Sequence, residues 1–144
     1  MATTVLYVED EPDDAFFMRF AFERAGVAAQ FEVVEDGLTA ISYLTGNKPY
    51  ENRERYPLPA LLLLDLNLPV FSGFEVLEWL RQQEHLRALP VVIFSSSGRP
   101  EDQSRARELG ANDYLIKPNS GLHFAELARK LHATWLTQTA TGTA

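Results

Sequence analysis

The sequence predicts an α/β fold: a doubly wound parallel sheet of five strands with helices on both faces. Short β-rich runs alternate with longer segments of helical periodicity, five of each. Right-handed crossovers between parallel strands place such helices on both sides of a sheet. With 144 residues, 46% hydrophobic and 23% charged, the chain has the size and composition of one domain around a single core. Residues 1–144 therefore read as one domain, with an ordered core over about 4–137 and a flexible tail at "TATGTA".

The elements follow in order. "TVLYV" (4–8) is the first strand. In "PDDAFFMRFAFERAG", Phe16, Phe17, Phe20, Ala21 and Arg24 recur at helical spacing, and Gly26 supplies the stop. The aromatic group Phe16, Phe17, Phe20 and Phe22 reads mostly as core, with one side left for a partner surface. "QFEVV" (30–34) is the second strand, and Glu35, Asp36 and Gly37 form a turn into a short helix at 37–46. "NKPYENRERYPLP" (47–59), rich in charge and proline, is a loop, and its "ENRER" is most simply a solvated segment. "ALLLL" (60–64) is a fully buried strand, and "SGFEVLEWLRQQ" (72–83) an amphipathic helix. "PVVIF" (90–94) and "DYLI" (113–116) are the last strands, separated by the polar helix "PEDQSRARELG" (100–110). A final helix from about Ser120 carries Phe124, Leu127, Ala128, Leu131 and Trp135 on one stripe.

Composition excludes several classes of function. The chain has no cysteine, which rules out disulfides, thiolate metal sites and cysteine nucleophiles. A net charge of -7 without a basic stripe argues against binding the phosphate backbone of a nucleic acid. No apolar run approaches the roughly 20 residues of a membrane helix, and the N-terminus lacks the regions of a signal peptide. The expected location is the cytoplasm. His85, His123 and His132 are scattered, and Trp79 and Trp135 fall on apolar stripes as packing residues.

In a sheet of this kind chemistry sits beyond the carboxyl ends of the strands. Glu9 and Asp10 follow the first strand, Asp65 the third, Ser95 the fourth and Lys117 the fifth. Each has a bland reading alone: an acidic helix start, a turn, a loop, a lysine before proline. Together they deliver three carboxylates, a hydroxyl and an ammonium to one edge. Converging carboxylates raise one another's pKa values unless positive charge sits among them. An all-oxygen set suits a hard cation such as Mg²⁺, which keeps several waters and takes carboxylates plus a phosphate oxygen. A metal-paired aspartate is a known phosphoryl nucleophile. The transferred group needs positive and hydrogen-bonding neighbours, which Lys117 and Ser95 can supply.

This constellation resembles the response-regulator receiver domain, the CheY-like module of two-component signalling, over Thr4 to about Thr137. The resemblance implies a flavodoxin-like sheet in the order 2-1-3-4-5, with the first and third strands as neighbours. It implies that Glu9 and Asp10 are the acidic metal pair and Asp65 the phosphoacceptor. It further implies that the Asn67 backbone carbonyl is another metal ligand for Mg²⁺ or Mn²⁺. Ser95 becomes the hydroxyl switch, Lys117 the phosphate-contacting lysine and Tyr114 the switch aromatic. Glu9 stands where many members carry Asp, which suggests ligation through water, and Asn119 stands where a bulkier apolar residue is frequent. The long loop at 47–59 and "YPLPALLLLDLNLP" resemble stand-alone regulators that serve phytochrome-type and related histidine kinases.

The implied function is phosphoryl transfer from a sensor histidine kinase, a phytochrome-type one among the candidates, onto Asp65. A conformational switch would then signal to a downstream protein. Such a module catalyses its own phosphorylation and dephosphorylation without being a multiple-turnover enzyme. With no effector domain attached, its output is expected through protein contact or onward phosphotransfer. A homodimer is expected through the face of the fourth helix, fifth strand and fifth helix, where Arg105, Arg107, Glu108 and Asp113 mix charge. The alternative is a haloacid-dehalogenase-type phosphatase with an aspartyl nucleophile. Such enzymes usually carry a second acid two residues after the nucleophile, where this chain has Asn67.

Overall fold

The computed structural model describes residues 3–136. The C-terminal tail and Thr137, included in the expected core or its flexible end, lie outside the described residues. Five strands form one parallel sheet in the order 2-1-3-4-5: β1 (Thr3–Val8), β2 (Ala29–Val34), β3 (Leu61–Leu64), β4 (Val91–Ser95) and β5 (Asp113–Ile116). The crossovers carry α1 (Pro12–Arg24), α2 (Gly37–Thr45), α3 (Gly73–Arg81) and α4 (Pro100–Glu108), and α5 (Phe124–Leu131) follows β5.

The period-2 alternation of the strands divides the core into two layers. Leu6, Val8, Leu62, Leu64 and Ile93 face α2, α3 and α4, where they meet Ala40, Leu44, Val76, Leu77, Leu80 and Ala106. Val5, Tyr7, Leu61, Leu63 and Phe94 face α1 and α5, where they meet Met18, Phe22, Phe124, Ala128 and Leu131. The leucines of β3 are all 0% exposed because both faces of the central strand are covered. Burying each is worth roughly 1.5–3 kcal/mol before entropy is counted.

Local signals set the helix limits. Ser72 accepts the Glu75 amide while the Glu75 carboxylate accepts the Ser72 amide, a reciprocal capping box that starts α3. Asp36, read as part of a turn, caps α2 by accepting the Thr39 amide. Gly46 ends that helix in the left-handed region at φ 77°, which an L side chain reaches only with strain.

Three sequence expectations change. Phe16, Phe17 and Phe20 are 61%, 37% and 48% exposed, and only Phe22 of that group is buried in the core. The cause is periodicity: residues 18, 21 and 22 form the stripe of α1 that meets the sheet, so 16 and 20 lie on its outer side. Arg53 of "ENRER" is not simply solvated. Its guanidinium donates to the carbonyls of Tyr43, Leu44 and Tyr56 at 2.8, 3.0 and 3.1 Å, closing the open end of α2. The last helix is not one continuous segment from Ser120. A 3-10 turn at Gly121–His123 precedes α5, and a π-type turn at His132–Leu136 follows it.

Candidate functional site

Backbone bonds that extend the sheet ladder beyond the strand ends fix the site. The Asp65 amide donates to the Val8 carbonyl at 3.2 Å, the Glu9 amide to Val34 at 2.9 Å and the Lys117 amide to Ser95 at 2.8 Å. Asp65, Glu9 and Lys117 are therefore held by the same parallel pairing that builds the core. Next to Asp65 the backbone is crowded. A Cβ on Gly73 would overlap the Asp65 carbonyl oxygen, so only glycine lets α3 start this close to the end of β3. The intervening loop holds Val70 at φ 72°, a conformation that costs a β-branched residue about 1–2 kcal/mol.

The side chains converge on one ammonium. Lys117 Nζ lies 2.7 Å from Glu9 Oε1, 2.9 Å from Asp14 Oδ2 and 3.0 Å from Asp65 Oδ2. Asp14 and Asp65 accept hydrogen bonds from it, and Glu9 adds the shortest ion pair. Tyr7 donates its hydroxyl to Glu9 Oε1 at 2.7 Å, and the Glu11 amide donates to Glu9 Oε2 at 3.2 Å. The Asn67 amide donates to Asp65 Oδ1 at 3.3 Å. Glu9 and Asp65 are buried and Asp10 is exposed.

The electrostatics follow from this crowding. Burial pushes the Glu9 carboxyl above the usual carboxylate range, Asp65 adds to the rise, and the bonds from Lys117 and Tyr7 oppose it. Burial alone would lower Lys117, yet its bonds to Glu9 and Asp14 and the charge of Asp65 outweigh that, and its pKa rises. The Tyr7 phenol is driven up by burial first and by the Glu9 charge second. Glu9, Asp10, Asp14 and Asp65 together leave the site with negative charge in excess of what one ammonium balances.

A divalent cation fits that excess. Glu9, Asp10 and Asp65 each offer an oxygen, all within 4.8 Å of one another. Carboxylate oxygens match the hardness of Mg²⁺ or Mn²⁺, so these three residues would hold such an ion at this edge of the sheet.

Ser95 is fully buried at the end of β4, and its Oγ accepts the Ser97 amide at 3.2 Å. Tyr114 is 8% exposed, and its hydroxyl donates to the Ser97 carbonyl at 2.8 Å. The aromatic position thus already points inward in this structure. His85 and His123 are exposed and outside the site. Sequence reasoning missed two residues that touch it. Asp14 lies four residues after Asp10, in the first turn of α1, and Tyr7 lies two residues before Glu9 on the same strand face. Both spacings were readable, but each residue had a complete structural explanation of its own.

The sequence pattern of the response regulator receiver domain matches residues 5–129. The chain belongs to this family. Among relatives, the probable methanogenesis regulatory protein FilR2 of Methanothrix harundinacea is 38% identical over 132 residues, covering 92% of this chain and 83% of that one. Response regulator Rcp1 of Synechocystis is 32% identical over 92% of this chain and 88% of its own. The Mn²⁺-bound crystal structure of Rcp1 aligns with a TM-score of 0.84 over 93% of this chain and 94% of that one, at 31% identity. The crystal structure of the phosphorylated cyanobacterial phytochrome response regulator RcpA aligns with a TM-score of 0.88 over 96% of each chain, at 29% identity. This receiver is thus close to the phytochrome response regulators in both sequence and structure. Family membership replaces the haloacid-dehalogenase-type alternative, and a receiver's part in two-component signalling accounts for an aspartate set among acids and a lysine.

Proposed function

We propose that this receiver takes a phosphoryl group from the phosphohistidine of a sensor histidine kinase onto Asp65. The observation that carries the reading is the Asp65 carboxylate, buried at the end of the central strand and 3.0 Å from the Lys117 ammonium. In this reading Glu9, Asp10, Asp65 and the backbone carbonyl of Asn67 hold Mg²⁺ or Mn²⁺. When bound, the cation supplies positive charge to the phosphoryl oxygens. The chain's own residues do the rest. An Asp65 oxygen attacks phosphorus in line, and the P–N bond breaks with its electron pair returning to the imidazole. Lys117 turns a donor from Asp65 to a phosphoryl oxygen, and the Ser95 hydroxyl donates to another.

Signalling would follow from those new contacts. Drawing Ser95 toward the phosphoryl group favours the inward Tyr114, and the phosphate biases the switch only through such differential contacts. The module works in the cytoplasm and catalyses its own phosphorylation and dephosphorylation. The likeness to phytochrome response regulators supports a phytochrome-type kinase as donor. A homodimer through α4, β5 and α5 and a downstream protein complete the proposal.

The direct test uses a small phosphodonor with Mg²⁺ and intact mass. One added phosphoryl group is expected, absent in Asp65→Asn. Label persisting in that variant would defeat the assignment.

A further inference from the structure

Asp14 binds Lys117 as closely as the two strand-end carboxylates do, but differs from them in a way that matters once the site is loaded. The Glu9 and Asp65 side chains are 0% and 6% exposed, whereas that of Asp14 is 27% exposed and faces the mouth of the site from the first turn of α1. Glu9 and Asp65, with Asp10, also form the oxygen set suited to a divalent cation, and Asp14 is outside it. A cation there draws on two of the three carboxylates that hold the ammonium and repels it by like charge. The Asp14 oxygen is the one left to Lys117 alone.

We propose that Asp14 is a positioning residue for phosphoryl transfer to Asp65: it tethers the Lys117 ammonium when the cation and the incoming phosphoryl group engage Glu9 and Asp65. This rests on Asp65 being the phosphoacceptor. Asp14 forms and breaks no covalent bond. As the P–O bond to Asp65 forms and the donor's leaving group departs with its electron pair, Lys117 exchanges its bond to Asp65 for one to a phosphoryl oxygen. Its bond to Asp14 persists. The rigid first turn of α1 makes that tether shorter and stiffer than solvent would.

The experiment follows phosphorylation by phosphoramidate at saturating Mg²⁺, by intact mass over time. The proteins are wild type, Asp14→Asn, Asp14→Ala and Asp14→Glu, and Asp14→Asn is repeated in a Lys117→Ala background. Loss of the charged hydrogen bond, discounted for partial exposure, should lower the maximal rate about three- to tenfold in Asn and Ala. The half-saturating donor concentration and Mg²⁺ affinity should stay near wild type, and Asp14→Glu should recover the rate. Without Lys117, Asp14→Asn should cause no further loss. If Lys117→Ala does not fold, Lys117→Gln serves as the background. A wild-type rate in Asp14→Asn, or the same fractional loss with and without Lys117, would overturn the tether while leaving the receiver chemistry intact. A wild type that takes up no phosphoryl group would sink that chemistry and the tether together.

Discussion

A lysine enclosed by three carboxylates is bound by an excess of opposite charge, and removing it leaves buried charge without a partner. In metal-free protein, Lys117→Ala should lower the unfolding free energy by about 3 kcal/mol, because Glu9 and Asp65 stay buried and lose their counter-charge. A divalent cation can replace part of the missing charge, so Mg²⁺ should stabilise the variant more than the wild type. Urea unfolding in chelator and in Mg²⁺ measures both, and equal Mg²⁺ stabilisation of the two proteins would contradict this account. Glu9, Asp65, Ser95 and Lys117 were legible because each ends a strand or directly follows one, and strand ends of a parallel sheet share one edge. Asp14 was not, because an acid in the first turn of a helix is already explained by the helix dipole. Only the fold brings it to Lys117, 103 residues away.

At the scale of elements, two side-chain devices fix loop segments that also pack on the core. Arg81, at the last turn of α3, donates to the carbonyls of Arg87 and Leu89 at 2.9 and 2.8 Å and to Gly110 at 2.7 Å. It thereby ties the entry to β4 to the exit from α4. Arg81→Ala should cost about 2 kcal/mol in a denaturant titration, since it orphans partly buried carbonyls. Arg81→Lys should recover little of it, because an ammonium cannot reproduce the planar fork. The second device is the packing of Tyr43 with Tyr50 and Tyr56 beneath the 47–59 loop, where the Tyr43 hydroxyl donates to Pro57 at 2.9 Å. Burial first, and the charge of Glu32 second, push the Tyr43 phenol up to about 12. An unfolded tyrosine ionises near 10, so between about 10 and 12 the unfolded chain releases a proton that the folded one keeps. This contribution is absent below about pH 10 and lowers stability by up to about 1.4 kcal/mol per pH unit through that window. Unfolding curves at pH 9, 10 and 11 should show a shallower fall for Tyr43→Phe than for wild type. An identical slope would remove Tyr43 from the explanation.

Over the whole molecule, the two covered faces of the sheet leave the α4–β5–α5 side as the place to read the proposed dimer. Arg107 and Glu108 are exposed there and Ile116 is 49% exposed, while Arg105 is engaged over the Phe74 ring at 4.3 Å. Trp135 packs half-buried against the α1–α5 core, so it serves the fold before it can serve a partner. The expected outcome is a mass in light scattering that rises with concentration, and further with a phosphoryl mimic. Arg107→Glu should weaken that rise by setting like charges across the two-fold axis. A strict monomer at every concentration in both states would defeat the dimer and leave partner proteins as the output.

The sequence by itself determined the order of elements, the parallel sheet, and the strand-end residues Glu9, Asp10, Asp65, Ser95 and Lys117. These depend on local periodicity and on a topological rule that holds wherever strands and helices alternate. Only the tertiary structure decided that Phe16 and Phe20 face outward, that Arg53 and Arg81 bond to distant carbonyls, and that Tyr7 and Asp14 complete the charge cluster. The physical reason is range. Hydrophobic period acts over a few residues and is written in the chain, whereas a hydrogen bond or ion pair between distant segments depends on crossover lengths and helix orientation to within about an ångström. Asp14 and Lys117 meet only because α1 starts at the same edge of the sheet at which β5 ends.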